Sequence, residues 1–191
     1  MTDAPGGRAA VLIPGQRYST DGPLLMFAGL AAERRSGLVH RIDWTVPELP
    51  DDDAERAWVA ARVIEAVDAA TAAGRAAPVL IGKSLGSLAA PVAAAGNLPA
   101  VWLTPLLTDE PMVAALRRAT APFLLVGGTA DPLWDGPVAR SLTRHVLAID
   151  GADHGMFVPG PLSASADVLG RVASAIEDFL DRQVWPDGAP G

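Results

Sequence analysis

One five-residue stretch is built for chemistry: Gly82-Lys83-Ser84-Leu85-Gly86. It follows the apolar run Ala77–Ile81 and opens a stretch of small, helix-favouring residues, so Ser84 stands at a sharp strand-to-helix turn. Such a turn strains the backbone of the serine and leaves no room for a side chain two residues to either side, a requirement Gly82 and Gly86 meet. It also lifts the hydroxyl to the start of a helix, where developing negative charge is favoured. The competing explanation is that the two glycines only let strand and helix pack closely.

A serine hydroxyl is a weak nucleophile until a positioned base takes its proton. The chain has three histidines. His40 and His145 fall inside strand-like segments, which suits structural or solvent-facing roles. His154 lies in the loop Gly151-Ala152-Asp153-His154-Gly155, just past the last strand-like run. In a parallel sheet that loop shares an edge with the turn at Ser84, where ligand crevices form. For the acid that orients the imidazole, Asp131 in Gly127-Gly128-Thr129-Ala130-Asp131-Pro132 follows another strand-like run, and Pro132 pins the turn after it. Asp135, Asp109 and Asp153 are its rivals. The chain order Ser84, Asp131, His154 is one of the known orders of a serine–histidine–acid triad.

Stabilising an oxyanion takes two backbone donors. The N–H of Leu85 is one candidate; the N–H of Gln16 in Pro14-Gly15-Gln16-Arg17-Tyr18 is the other, although a Pro-Gly pair is also an ordinary strand exit. Tyr18, Leu106, Leu107, Trp134, Met156 and Phe157 are candidate pocket walls. Of these, Tyr18, Trp134 and Met156 are the expected substrate contacts, the last two because they adjoin the acid and the base. Lys83 could attract a carboxylate, but solvation is the commoner fate of a lysine.

The elements that must position these residues alternate. Strand-like runs cover Ala9–Pro14, Leu38–Trp44, Ala77–Ile81, Ala100–Leu103, Pro122–Val126 and Arg144–Ile149. Helical stretches cover Pro23–Arg35 (closed by Gly37), Ser84–Ala95, about Pro111 to Ala119, 136–142 and Pro161–Val184. Another runs from caps at Asp51–Asp53, with Glu55 placed as in a capping box, to Gly74. Alternation of this kind predicts an α/β protein, a parallel sheet with helices on both faces in a three-layer sandwich. Residues 1–191 are expected to form one domain, with 1–8 and 186–191 as flexible tails.

Half of the 191 residues are apolar and 5 % are aromatic, so Ala, Val and Leu must fill the core. A net charge of −7 argues against nucleic acid and anionic membrane surfaces as partners. The absence of cysteine excludes disulfides, thiolate nucleophiles and cysteine metal sites. No metal or nucleotide cofactor is expected, since there is no His-x-x-x-His cluster and no glycine-rich phosphate loop. Met1–Arg8 lacks the pattern of a secretory leader, and a cytoplasmic location is the expectation.

Along nearly its whole length the chain resembles the α/β-hydrolase superfamily, and within it the small, lid-less proteins related to dienelactone hydrolases. The resemblance rests on the lysine-bearing elbow, Gly-Thr-x-Asp-Pro at 128–132, Asp-His-Gly at 153–155 and Pro-Gly-x-x-Tyr at 14–18. It implies Ser84 as nucleophile, Asp131 as acid, His154 as base and oxyanion donors at Leu85 and Gln16. It also implies a sheet of about six parallel strands in the order 2-1-3-4-5-6, without the antiparallel edge of larger members. With only Thr104–Glu110 where lids usually insert, it implies an open site. Ser87 replaces a glycine common after the elbow, and the missing cysteine means the dienelactone substrate does not carry over. The expected reaction is hydrolysis of a carboxylic ester or related acyl bond of a small molecule. A non-catalytic binding module, or an acyltransferase or perhydrolase, fits the same scaffold.

Overall fold

The computed structural model describes residues 7–72 and 76–186. Six strands form one parallel sheet: β1 (Ala9–Ile13), β2 (Leu38–Arg41), β3 (Val79–Lys83), β4 (Ala100–Leu103), β5 (Phe123–Gly128) and β6 (Val146–Ile149), in the order β2-β1-β3-β4-β5-β6. Six α-helices connect and follow them: α1 (Pro23–Glu33), α2 (Asp52–Ala72), α3 (Ala90–Gly96), α4 (Glu110–Arg118), α5 (Gly136–Leu142) and α6 (Leu162–Phe179).

Apart from Lys83 at the end of β3, the central strands carry no charged or polar side chain, because both of their faces are covered. Val11, Ile13, Leu80, Trp102 and Leu125 pack toward α2, α3 and α4. Leu12, Ile81, Leu103 and Val126, one residue out of phase, pack toward α1 and α6. Arg35 ties α1 to the far end of α6 through Glu177 and Asp181. Arg8, expected in a flexible tail, is held by the carbonyls of Arg35 and Trp185 and lies over the Trp185 ring.

Several boundaries differ from the sequence-based expectation, each for a physical reason. Ser84–Ala95 is not one helix: a 3₁₀ turn spans Ser84–Ala89 before α3 begins. Pro91 has no N–H to give Ser87 O, and its ring would strike that carbonyl in a continuous α-helix. The edge strand ends at Arg41, and the chain turns away so that Trp44 packs against Trp58 and its indole donates to Gly15 O at 3.1 Å. The cap of α2 is Asp51, which accepts the Ala54 N–H at 2.8 Å, so Glu55 is not part of a capping box. α6 stops at Phe179 and continues as a wide π-type turn over Leu180–Val184. At the end of α1, Ser36 rather than Gly37 takes the left-handed conformation, with φ 61°. The helix end expected at Gly74 lies outside the described residues.

The two-sided burial sets a clear contrast. Leu125→Ala, at a position with no exposed surface, is expected to lose about 3 kcal/mol of stability in urea denaturation. Leu38→Ser, on the edge strand and 46 % exposed, is expected to change stability by less than about 0.5 kcal/mol.

Candidate active site

The strand β3 delivers Lys83 in an extended conformation, and the next residue, Ser84, turns to a φ of 52°. A non-glycine residue there is strained by about 1–3 kcal/mol and persists only where its surroundings hold it. They do so closely. A Cβ on Gly82 would lie 2.7 Å from Gly86 O, and one on Gly86 would lie 2.6 Å from Ile13 O on β1. Ser87 adds a clamp that its small size alone did not reveal. Its hydroxyl donates to Ser84 O at 2.6 Å and accepts the Leu106 N–H at 3.1 Å, joining the elbow to the loop after β4.

The acid and histidine loops leave neighbouring strands and are stitched together. Gly128 lets the Ala152 carbonyl occupy the space where a Cβ would stand, and Ala130 donates to that carbonyl at 3.0 Å. Thr129 Oγ1 donates to Asp150 and accepts the Gly151 N–H. Asp153 Oδ1 accepts the N–H groups of Gly155 and Phe157, which folds the loop so that Met156 has a φ of 64°.

This frame brings three side chains into line. Asp131 is buried; its Oδ1 accepts the Leu133 N–H at 2.9 Å and its Oδ2 lies 2.7 Å from His154 Nδ1. His154 Nε2 lies 2.8 Å from Ser84 Oγ. An ionised carboxylate only accepts, so the ring proton belongs on Nδ1, and Nε2 is left to accept from the serine hydroxyl. The rival aspartates have other work: Asp109 caps α4, Asp135 caps α5 and Asp153 shapes its own loop. His40 is exposed on β2, and His145 stands edge-on to Phe179, with burial pulling its pKa down.

A cleft of about 410 Å³ opens over Ser84 and His154, with Gln16, Tyr18, Lys83 and Leu85 among its walls. Neither the Leu85 nor the Gln16 N–H has a hydrogen-bond partner among the described residues, as expected for the start of a helix and for a loop held open by Gly15 N–H to Tyr18 O. Trp134 does not line the cleft. It packs into the core over Gly127, where its ring fills the space a Cβ would take, and the cleft wall is Leu133. Met156 is 3 % exposed and borders a separate apolar groove that shares Tyr18 with the cleft.

Lys83 is not the solvated lysine that its residue type suggests. It is 5 % exposed, its Nζ donates to His154 O at 3.3 Å, and the ammonium lies 5.1 Å from the centre of the Tyr18 ring. Burial lowers its pKa to about 8, against the pull of the Asp131 and Asp153 carboxylates. Among the described residues no group of three or more His, Asp or Glu side chains is arranged to hold a metal ion, and no helix is long and apolar enough to cross a membrane.

No protein-family model matches the sequence, and no curated protein matches it. Solved structures do. A Xanthomonas campestris protein classed in the alpha/beta hydrolase superfamily is 22 % identical with a TM-score of 0.70, the match covering 91 % of this chain and 98 % of that one. Dienelactone hydrolase from Anabaena variabilis is 18 % identical with a TM-score of 0.69, covering 93 % and 87 %. An α/β serine hydrolase without a lid, also from Xanthomonas campestris, is 14 % identical with a TM-score of 0.57, covering 100 % and 88 %. The chain has the α/β-hydrolase fold in its lid-less form.

Two outcomes follow from this packing. Gly86→Ala is expected to destabilise the protein by about 1–3 kcal/mol in urea denaturation, because its new methyl meets backbone rather than a movable side chain. For Lys83 the sign is set by linkage. Its pKa is about 8 in the folded chain against an ordinary 10.5, so between these values the unfolded chain binds more protons and stability rises with pH. The cost of the buried ammonium is therefore full below pH 8 and relieved toward 10.5. The difference in stability, Lys83→Met minus wild type, is expected to be more favourable to the variant at about pH 7 than at about pH 10 by thermal unfolding.

Proposed function

We propose that this protein is a serine hydrolase that cleaves a carboxylic ester or related acyl bond of a small molecule. The reading is carried by one observation: the unbroken contact from Asp131 through His154 to a serine held at positive φ. Ser84 Oγ attacks the acyl carbon while its proton passes to His154 Nε2. Asp131 holds the imidazole by Nδ1 and stabilises its positive form. The carbonyl electron pair moves onto the oxygen, which the Leu85 and Gln16 N–H groups receive. As the pair returns, the bond to the alcohol oxygen breaks, and that oxygen takes the proton from His154. Water then attacks the acyl–serine ester, gives a proton to His154 and, as the acid leaves, the proton returns to Ser84 Oγ. Ester and water become acid and alcohol, and the site is restored.

In this reading Tyr18 walls the substrate cleft, and Met156 contributes through the neighbouring groove. Hydrolysis of p-nitrophenyl acetate by the wild type is the direct test. Ser84→Ala and His154→Gln are each expected to lower kcat by more than about 10³-fold, and the double variant is expected to be no worse than either alone, because the groups act as a unit. Asp131→Asn is expected to lower kcat by up to about 10⁴-fold with KM little changed. A folded wild type that turns over no activated ester, or a Ser84→Ala variant that retains full activity, contradicts the proposal.

A further inference from the structure

Beside the Ser84 cleft lies a second hollow, a groove of about 320 Å³ between the start of α1, the start of α6 and the residues that follow His154. Its walls include Tyr18, Leu24, Met156, Phe157, Leu162 and Leu169, and no charged side chain lines it. Its two hydroxyls already have partners: Tyr18 accepts the Leu24 N–H at 2.8 Å, and Ser165 accepts the Val158 N–H at 3.1 Å. These two hydroxyls are the only polar side-chain groups among its walls, so the groove offers a ligand mainly apolar contact. At the rim Phe157 is 56 % and Leu162 75 % exposed, so two large apolar side chains stand in water next to the groove they border. The Ser84 cleft differs in kind, with Arg17, Glu55 and Lys83 on its walls.

Two facts fix what this groove faces. Tyr18 is a wall of both hollows, so they are neighbours across one residue. Gly155, Met156 and Phe157, which line it, come directly after His154. In acyl transfer the leaving oxygen takes its proton from the base, so the alcohol half of the ester stands on the base's side and the acyl half points away. We propose that the groove is the subsite for the alcohol half of the substrate, and that this half is an apolar alkyl or aryl group. The inference rests on the acyl-hydrolysis reading and adds to it the polarity and direction of the substrate.

The experiment compares kcat/KM for two ester series that share methyl acetate: acetates of straight-chain alcohols up to octanol, and methyl esters of straight-chain acids up to octanoate. The alcohol series is expected to rise until the groove is filled, by about fourfold per methylene if each is fully buried at ~0.8 kcal/mol. The acid series is expected to stay flat. Ala166→Phe, which fills the groove from an exposed position on α6, is expected to lower the octyl-to-methyl acetate ratio by at least about tenfold. Leu162→Gln, at the rim and also exposed, gives an independent variant and is expected to lower the same ratio by a smaller factor. A flat alcohol series in an enzyme that hydrolyses methyl acetate, a rise confined to the acid series, or a ratio untouched by both variants overturns the inference while leaving hydrolysis standing. Failure to turn over any ester in either series removes the hydrolysis reading and this inference with it.

Discussion

The close approach of the turn after β3 to the end of β1 is the constraint on which the site depends. Ser84 sits at a φ of 52° because the backbone must reverse between two residues that have no side chains, where a Cβ on either would come within 3 Å of a backbone carbonyl. That strain is held by the sheet beneath it, where β1 and β3 pair in parallel and both are fully buried. The same approach sets the Ile13–Pro14–Gly15 backbone, and with it Gln16, beside the serine. One steric fit thus places the nucleophile and frames both of the backbone donors proposed for the oxyanion.

The opposite side of the site is assembled by hydrogen bonds together with the close approach of the Ala152 carbonyl to Gly128. Loops after β5 and β6 are joined through Thr129, Asp150 and Ala152, so the Asp131 carboxylate and the His154 ring are presented by one unit. Ser87 and Lys83 link this unit and the β4 loop back to the elbow, Ser87 by its hydroxyl to Leu106 and Lys83 by its ammonium to the His154 carbonyl. Burying that ammonium lowers its pKa to about 8, a stability cost taken at a contact that holds the histidine loop in place.

The alternation of strands and helices and the three side chains that come into line have local signatures in the sequence, whereas the strand order is implied by the resemblance to the α/β-hydrolase superfamily. The glycine spacing around Ser84, the Asp131-Pro132 turn and the single histidine in a post-strand loop are short patterns, and parallel alternation leaves few ways to bring their loops together. What was not legible depends on packing across the chain. Trp134 adjoins Asp131 in sequence, but Gly127 opens a socket for its ring on the core side, so Leu133 faces the cleft instead. Lys83 is polar by type and is buried because Tyr18 and the histidine loop close over it. The break before α3 was visible in principle, since Pro91 sits too far into the expected helix to leave it intact.

The central claim is that Ser84 is an activated nucleophile, and the most direct measurement is intact-mass analysis after treatment with a fluorophosphonate, made on the wild type and on Ser84→Ala. The account predicts a single adduct on the wild type that is absent from the variant. A folded wild type that takes up no label, or a variant that labels as well as the wild type, would contradict it.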